Sequence, residues 1–207
     1  MKTFQIEIEA YALQDYFKPI RKKTDIWKII LNLIKLIPYN YKQSIHDPKG
    51  KITIYVSKIS RVIFETEQNL FSLYFPFTVI DKEDSLIFLS KSGIEISSSL
   101  SSQMLSIIDE INENDLISFQ DLNLIPENFE YENENALFIL NELLLQEDGY
   151  LRFDHDIENA DGNLHPEKHI DIFFQNASKV KLGLNNTLDH SQFLDILNTE
   201  TDCWYLK

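Results

Sequence analysis

The chain has 207 residues, 43% hydrophobic and 12% aromatic, which is enough for one well-buried core and too apolar for a disordered segment. Its formal charge is −14 but unevenly spread: residues 1–60 carry 11 Lys+Arg against 5 Asp+Glu (+6), and residues 61–207 carry 8 against 28 (−20). A section at −20 repels phosphate, so nucleic-acid contact is excluded except through the N-terminal basic part.

In chain order, Phe4, Ile6 and Ile8 alternate with Gln5, Glu7 and Glu9, the pattern of a half-buried strand. Lys18 to Lys23 follows as a basic turn, whose Arg21, Lys22 and Lys23 are a solvated charge run first and a partner-contact surface second. Thr24 is the expected N-cap and Asp25 suits the first turn of a helix ending at Pro38. Its polar residues Lys28, Asn32 and Lys35 form a narrow stripe on an apolar cylinder, as in a helix buried on most sides. Pro48 and Gly50 mark a break. Residues 51–97 then alternate with strand period at 52–56, 62–64, 71–79 (through Pro76, read as an edge or bulge), 86–89 and 94–96. The intervals are too short for βαβ crossovers, so an antiparallel meander is expected and a doubly wound parallel sheet is not.

From Ser98 the period becomes helical, with Leu100, Met104, Ile107, Ile108 and Ile111 on one face. Residues 121–135 are acidic and amide-rich and read as a linker; Ala136, Ile139, Leu140, Leu143 and Leu144 then form another helix, with Gly149 placed to end it. After residues 149–174, Val180 and Leu182 add a strand, and Asp189 or Ser191 starts a final helix through Phe193 and Leu197. The expected fold class is α+β: an antiparallel β-meander packed with three to five helices, closing in a C-terminal strand hairpin and helix. One domain over 1–207 accommodates it; the alternative is a helix-plus-meander part, 1–120, and a helix-hairpin-helix part, 133–207.

Several chemistries are absent. Five glycines without a Gly-x-Gly pair leave neither a dinucleotide fingerprint nor a phosphate loop, and there is no Gly-x-Ser-x-Gly elbow. The single Cys203 excludes an internal disulfide, suits a reducing cytoplasm, and reads as a small packed hydrophobe. The N-terminus has acids where a signal peptide needs an apolar run, and the longest apolar stretch, 26–37, is too short to span a bilayer, so neither export nor a membrane is expected.

The chemically capable side chains concentrate in residues 149–174, read as two short strands joined by a long polar loop. Strand alternation puts Leu151, Phe153 and His155 on one face and Arg152, Asp154 and Asp156 on the other; in the second strand Ile170, Ile172 and Phe174 oppose His169, Asp171 and Phe173. If the strands are neighbours with both apolar faces inward, Arg152, Asp154, His169 and Asp171 meet. These four are the candidate catalytic residues. His165, His169 and Asp154 are the candidate ligands of a divalent metal that would activate water, with Asp171 as ligand or base. The ordinary alternative is a cross-strand ion pair of Arg152 with Asp171 or Asp154, and an arginine amid the group opposes a cation there.

Leu151-Arg152-Phe153-Asp154-x-Asp156, the polar loop, His165-Pro166-x-x-His169-Ile170-x-Ile172 and the helix bearing Phe193 resemble the C-terminal half of a family of uncharacterised bacterial proteins, a domain of unknown function often encoded near restriction-modification and phage-defence genes. The likeness covers about residues 149–200; where that family has Arg-Ile-Pro after the second strand, this chain has Lys181-Leu182-Gly183. The resemblance implies a bacterial, cytoplasmic, defence-linked setting and no particular activity. Three functional expectations follow. The first is a non-catalytic binding or regulatory subunit, without cofactor, that docks a protein partner. The others are a metal-dependent hydrolase or nuclease using the His/Asp site, and an acidic mimic of nucleic acid.

Overall fold

A computed structural model describes residues 2–56, 59–83, 85–113, 134–175 and 177–205, with the backbone alone at 39 and 40. Among them the chain is α+β with antiparallel pairing throughout, as expected. Two compact units interleave along the sequence: residues 1–21, 44–75 and 149–207 form the first, 22–43 and 76–148 the second. A sequential division into 1–120 and 133–207 is therefore not the one the contacts follow. The strand at 69–74 pairs with the strand at 151–155, which draws the C-terminal third into the N-terminal unit. Residues 121–133 of the expected linker lie outside the described residues.

The first unit is a seven-stranded sheet in the order β1 (Lys2–Ile8), β2 (Gly50–Val56), β3 (Ser60–Glu65), β4 (Asn69–Tyr74), β7 (Leu151–His155), β8 (Lys168–Ile172), β9 (Val180–Gly183). Alternation fixes what each face carries. One face presents Tyr55, Ile63, Leu70, Leu151, Phe153 and Ile170 to a helix at the C-terminal end, α5 (His190–Leu197), whose Phe193 is wholly buried against them. Asp189 caps that helix by accepting the Gln192 N–H at 2.9 Å. His190 ties it to the sheet, with Nε2 2.6 Å from the Tyr55 hydroxyl and Nδ1 2.7 Å from Glu65.

The opposite face changes character partway across. On β3 and β4 it is aromatic: Phe64 and Phe71 stack at 4.4 Å between centroids, and a short helix unforeseen in the sequence, α1 (Ala10–Tyr16), sets Tyr16 on Phe64 while the following Phe17 meets Phe71 edge-on. Phe71 is the register partner of Arg152, and Arg152 of Asp171. One row of side chains thus passes from apolar to ionic in a single strand step.

In the second unit α2 (Lys23–Asn40) buries Ile26, Trp27, Ile29, Ile30, Leu31, Leu33, Ile34 and Ile37, and Lys28, Asn32 and Lys35 stay half-exposed, as the thin polar stripe implied. Its N-cap is Lys22 rather than Thr24: Asp25 accepts the Lys22 N–H at 2.9 Å, while the buried Thr24 hydroxyl donates to Asn112. The helix also continues past Pro38. A proline in the last turn forfeits one hydrogen bond, which the packing of the preceding turns outweighs. Helices α3 (Ser98–Glu113) and α4 (Glu134–Leu144) present the expected apolar faces. Pro76 ends β4 instead of bulging it, and β5 (Thr78–Lys82) pairs with β6 (Ser85–Leu89) in a separate two-stranded sheet. The expected meander is interrupted there because proline donates no ladder hydrogen bond. Residues 94–96 contribute only a bridge, Leu89 to Glu95, after a turn at Gly93 with φ +85°. Among the described residues no helix is long and apolar enough to cross a membrane.

Candidate functional site

The hairpin of β7 and β8 has the register that strand parity implied: Arg152 opposite Asp171, Asp154 opposite His169. All four share the ionic face, and the acids and the histidine are buried, with Asp154 6%, His169 2% and Asp171 3% exposed. Burial of two carboxylates demands partners. Arg152 Nε donates to Asp154 Oδ1 at 2.7 Å, so the ion pair forms along one strand. Asp171 takes Lys179, from the β8–β9 connection. Burial alone would pull the Arg152 guanidinium down, but Asp154 and Tyr150 more than offset it and hold it above its ordinary range. Arg152 is therefore a fixed cation.

His169 donates from Nδ1 to the Pro166 carbonyl at 2.8 Å, and since a carbonyl cannot donate, this fixes the proton on Nδ1. Its Nε2 points between the acids, 3.6 Å from Asp154 Oδ2 and 4.0 Å from Asp171 Oδ2. Asp154, His169 and Asp171 each place one donor atom within 4.8 Å of the others. His165 does not join them. Its Nδ1 accepts from Lys181 at 2.8 Å and its Nε2 lies 3.2 Å from Asp156, so both nitrogens are engaged, although its ring packs edge-on to His169 at 4.8 Å. Among the described residues the donors that converge are thus Asp154, His169 and Asp171, the last expected as ligand or base, while His165 of the expected set stands apart from them.

Arg152 and Lys179 turn their outward sides to a cavity of about 550 Å³, lined also by Pro19, Ile20, Arg21, Tyr150 and Phe174. Among the described residues, three cations and no carboxylate line it. The acids stand behind as tethers, Asp154 on Arg152 and Asp171 on Lys179. Tyr150 and Phe174 supply an aromatic wall, their rings 6.2 Å apart and nearly perpendicular. Burial pushes the Tyr150 hydroxyl up, with Arg152 opposing, so it stays a neutral donor at physiological pH. Phe174 was expected to share the apolar face of Ile170 and Ile172. Phe173 adopts φ +64°, which breaks the strand alternation, leaving Phe173 half-exposed and bringing Phe174 round to Tyr150.

Of the basic turn, Arg21 lines this cavity, Lys22 caps α2, and Lys23 is committed to the Gln146 carbonyl and Asp148. Lys179, Tyr150 and Phe174 are not among the expected site residues. Tyr150 has the parity of Arg152 and Asp154 and was findable; Lys179, in a connection without periodicity, carries no such signal. Cys203 is exposed, not packed, because the tail that bears it lies on the surface. No family model, no curated protein and no solved structure matches the chain.

Proposed function

We propose that the protein is a non-catalytic binding module that recognises a phosphate-bearing ligand of about nucleotide size in the cavity of Arg21, Arg152 and Lys179. The observation that carries this reading is the concentration of three cations on the lining of one cavity in a chain whose net charge is −14, with the acids that pair Arg152 and Lys179 set behind them. Two guanidinium forks and an ammonium suit a doubly charged tetrahedral anion better than a single carboxylate. The volume falls in the range of small-molecule sites, and the Tyr150 and Phe174 rings give a base or another flat group a surface. Arg152 and Lys179 are held in place by Asp154 and Asp171 before a ligand arrives, which lowers the ordering cost of binding. A protein partner enters the proposal as the bearer of such an anionic group, in the bacterial, cytoplasmic, defence-linked setting that the resemblance implies.

Calorimetric titration of the full chain with pyrophosphate at low salt tests it. One site per chain is expected, weakening as salt is raised, and Arg21→Ala is expected to weaken it about tenfold, the loss of one charge-assisted contact of about 1.4 kcal/mol. Arg21 is exposed, so the substitution removes little buried area. Absence of binding at millimolar pyrophosphate, or binding indifferent to Arg21→Ala, overturns the reading.

A further inference from the structure

Behind the cavity, the geometry points to a divalent-cation site formed by Asp154 Oδ2, His169 Nε2 and a carboxylate oxygen of Asp171. The inference does not rest on the anion reading. Two ligands bound to one ion at about 2.1 Å lie roughly 3.0–3.4 Å apart. To reach that spacing the Nε2 to Asp154 Oδ2 separation of 3.6 Å must close by about 0.2–0.6 Å and the Nε2 to Asp171 Oδ2 separation of 4.0 Å by about 0.6–1.0 Å.

Three further features agree. Asp171 is 3% exposed, and its Oδ1 has no hydrogen-bond partner although it is shut away from water. An acceptor in that position is an uncompensated cost that a cation removes. His169 is oriented by the Pro166 carbonyl through its other nitrogen, the arrangement that presents Nε2 to a metal. Asp154 has Oδ1 tied outward to Arg152, which orients the carboxylate and leaves the Oδ2 that faces His169 available, whereas Asp171 holds Lys179 on the Oδ2 that lies 4.0 Å from His169 Nε2 and keeps Oδ1 unpartnered. One imidazole and two carboxylates suit Mn²⁺ or Zn²⁺. With His169 neutral, the two cations and two acids already balance, so a divalent ion leaves the group at +2. That makes for modest affinity.

The test is a Mn²⁺ titration of the full chain followed by electron paramagnetic resonance, in which bound Mn²⁺ loses the free-ion signal. One bound ion per chain is expected. His169→Ala and Asp171→Asn should each weaken binding at least about tenfold, while Asp156→Asn, which removes a carboxylate just outside the group, should leave it unchanged. Asp171→Asn keeps the side-chain shape and serves if His169→Ala does not fold. No bound ion in the native chain, or binding retained in Asp171→Asn, overturns the site, as does an Asp156→Asn variant that loses as much as Asp171→Asn. Loss of pyrophosphate binding alone leaves this inference standing, and loss of Mn²⁺ binding alone leaves the anion reading standing.

Discussion

Lys179→Met should destabilise the first unit more than Asp171→Asn, although both break the same ion pair. The asymmetry comes from burial: the Asp171 side chain is 4% exposed and that of Lys179 33%. Removing the lysine strands a buried carboxylate whose Oδ1 already lacks a partner. A fully buried pair broken this way costs about 3–5 kcal/mol and an exposed one under about 1 kcal/mol. With one end dry and the other wet, about 2–3 kcal/mol is expected for Lys179→Met. Asp171→Asn leaves a lysine that can turn to water, at about 1 kcal/mol. The double variant should cost little more than Asp171→Asn alone, because the stranded charge is gone. Urea denaturation at neutral pH, with unchanged slope, reads all three. A Lys179→Met variant within about 0.5 kcal/mol of the native chain, or an Asp171→Asn variant more damaged than Lys179→Met, refutes the reasoning.

Three other substitutions probe the frame around the site. Gly149→Ala should cost about 1–3 kcal/mol by thermal or urea unfolding, because Gly149 has φ +58° and an added Cβ would come within 2.8 Å of Arg61 Nη1, whose donation to the Gly149 carbonyl would also suffer. Pro38→Ala should raise stability by up to about 1 kcal/mol by restoring the missing hydrogen bond in the last turn of α2; a loss would show that the proline is needed there. Glu65 is held below the usual carboxylate range by its hydrogen bond with His190, then by Lys51, against an opposing effect of burial. A depressed folded value gives stability that is present above the unfolded carboxylate's range and lost as pH falls through the folded one. Glu65→Gln should therefore be less stable than the native chain at neutral pH, and the gap should close under acid; a gap that widens in acid contradicts the assignment.

The ionic face was legible because strand alternation is a rigid rule. Leu151, Phe153 and Ile170 need a core, and once they have it Arg152, Asp154, His169 and Asp171 have one side left, whatever else the chain does. How deeply the acids and the histidine are buried was not legible, since strand parity says which face a side chain takes and not what covers that face. Phe174 was misplaced for a local reason: nothing in a Phe-Phe pair announces that the first will take a left-handed backbone. The interleaved units were hidden because β4 and β7 pair across more than seventy residues, and no short-range signal records such a partner. Pro38 and Pro76 show the two ways a breaker is resolved. Packing on the preceding turns carries α2 through one, while β4, a ladder that needs every donor, stops at the other.

The position of a bound anion is the most direct test of the cavity's role. A crystal structure of the chain grown with pyrophosphate should show phosphate oxygens within hydrogen-bond reach of both Arg152 and Lys179, with Asp154 and Asp171 still tethering them from behind. Pyrophosphate ordered elsewhere on the protein, with the cavity holding only water, would contradict it.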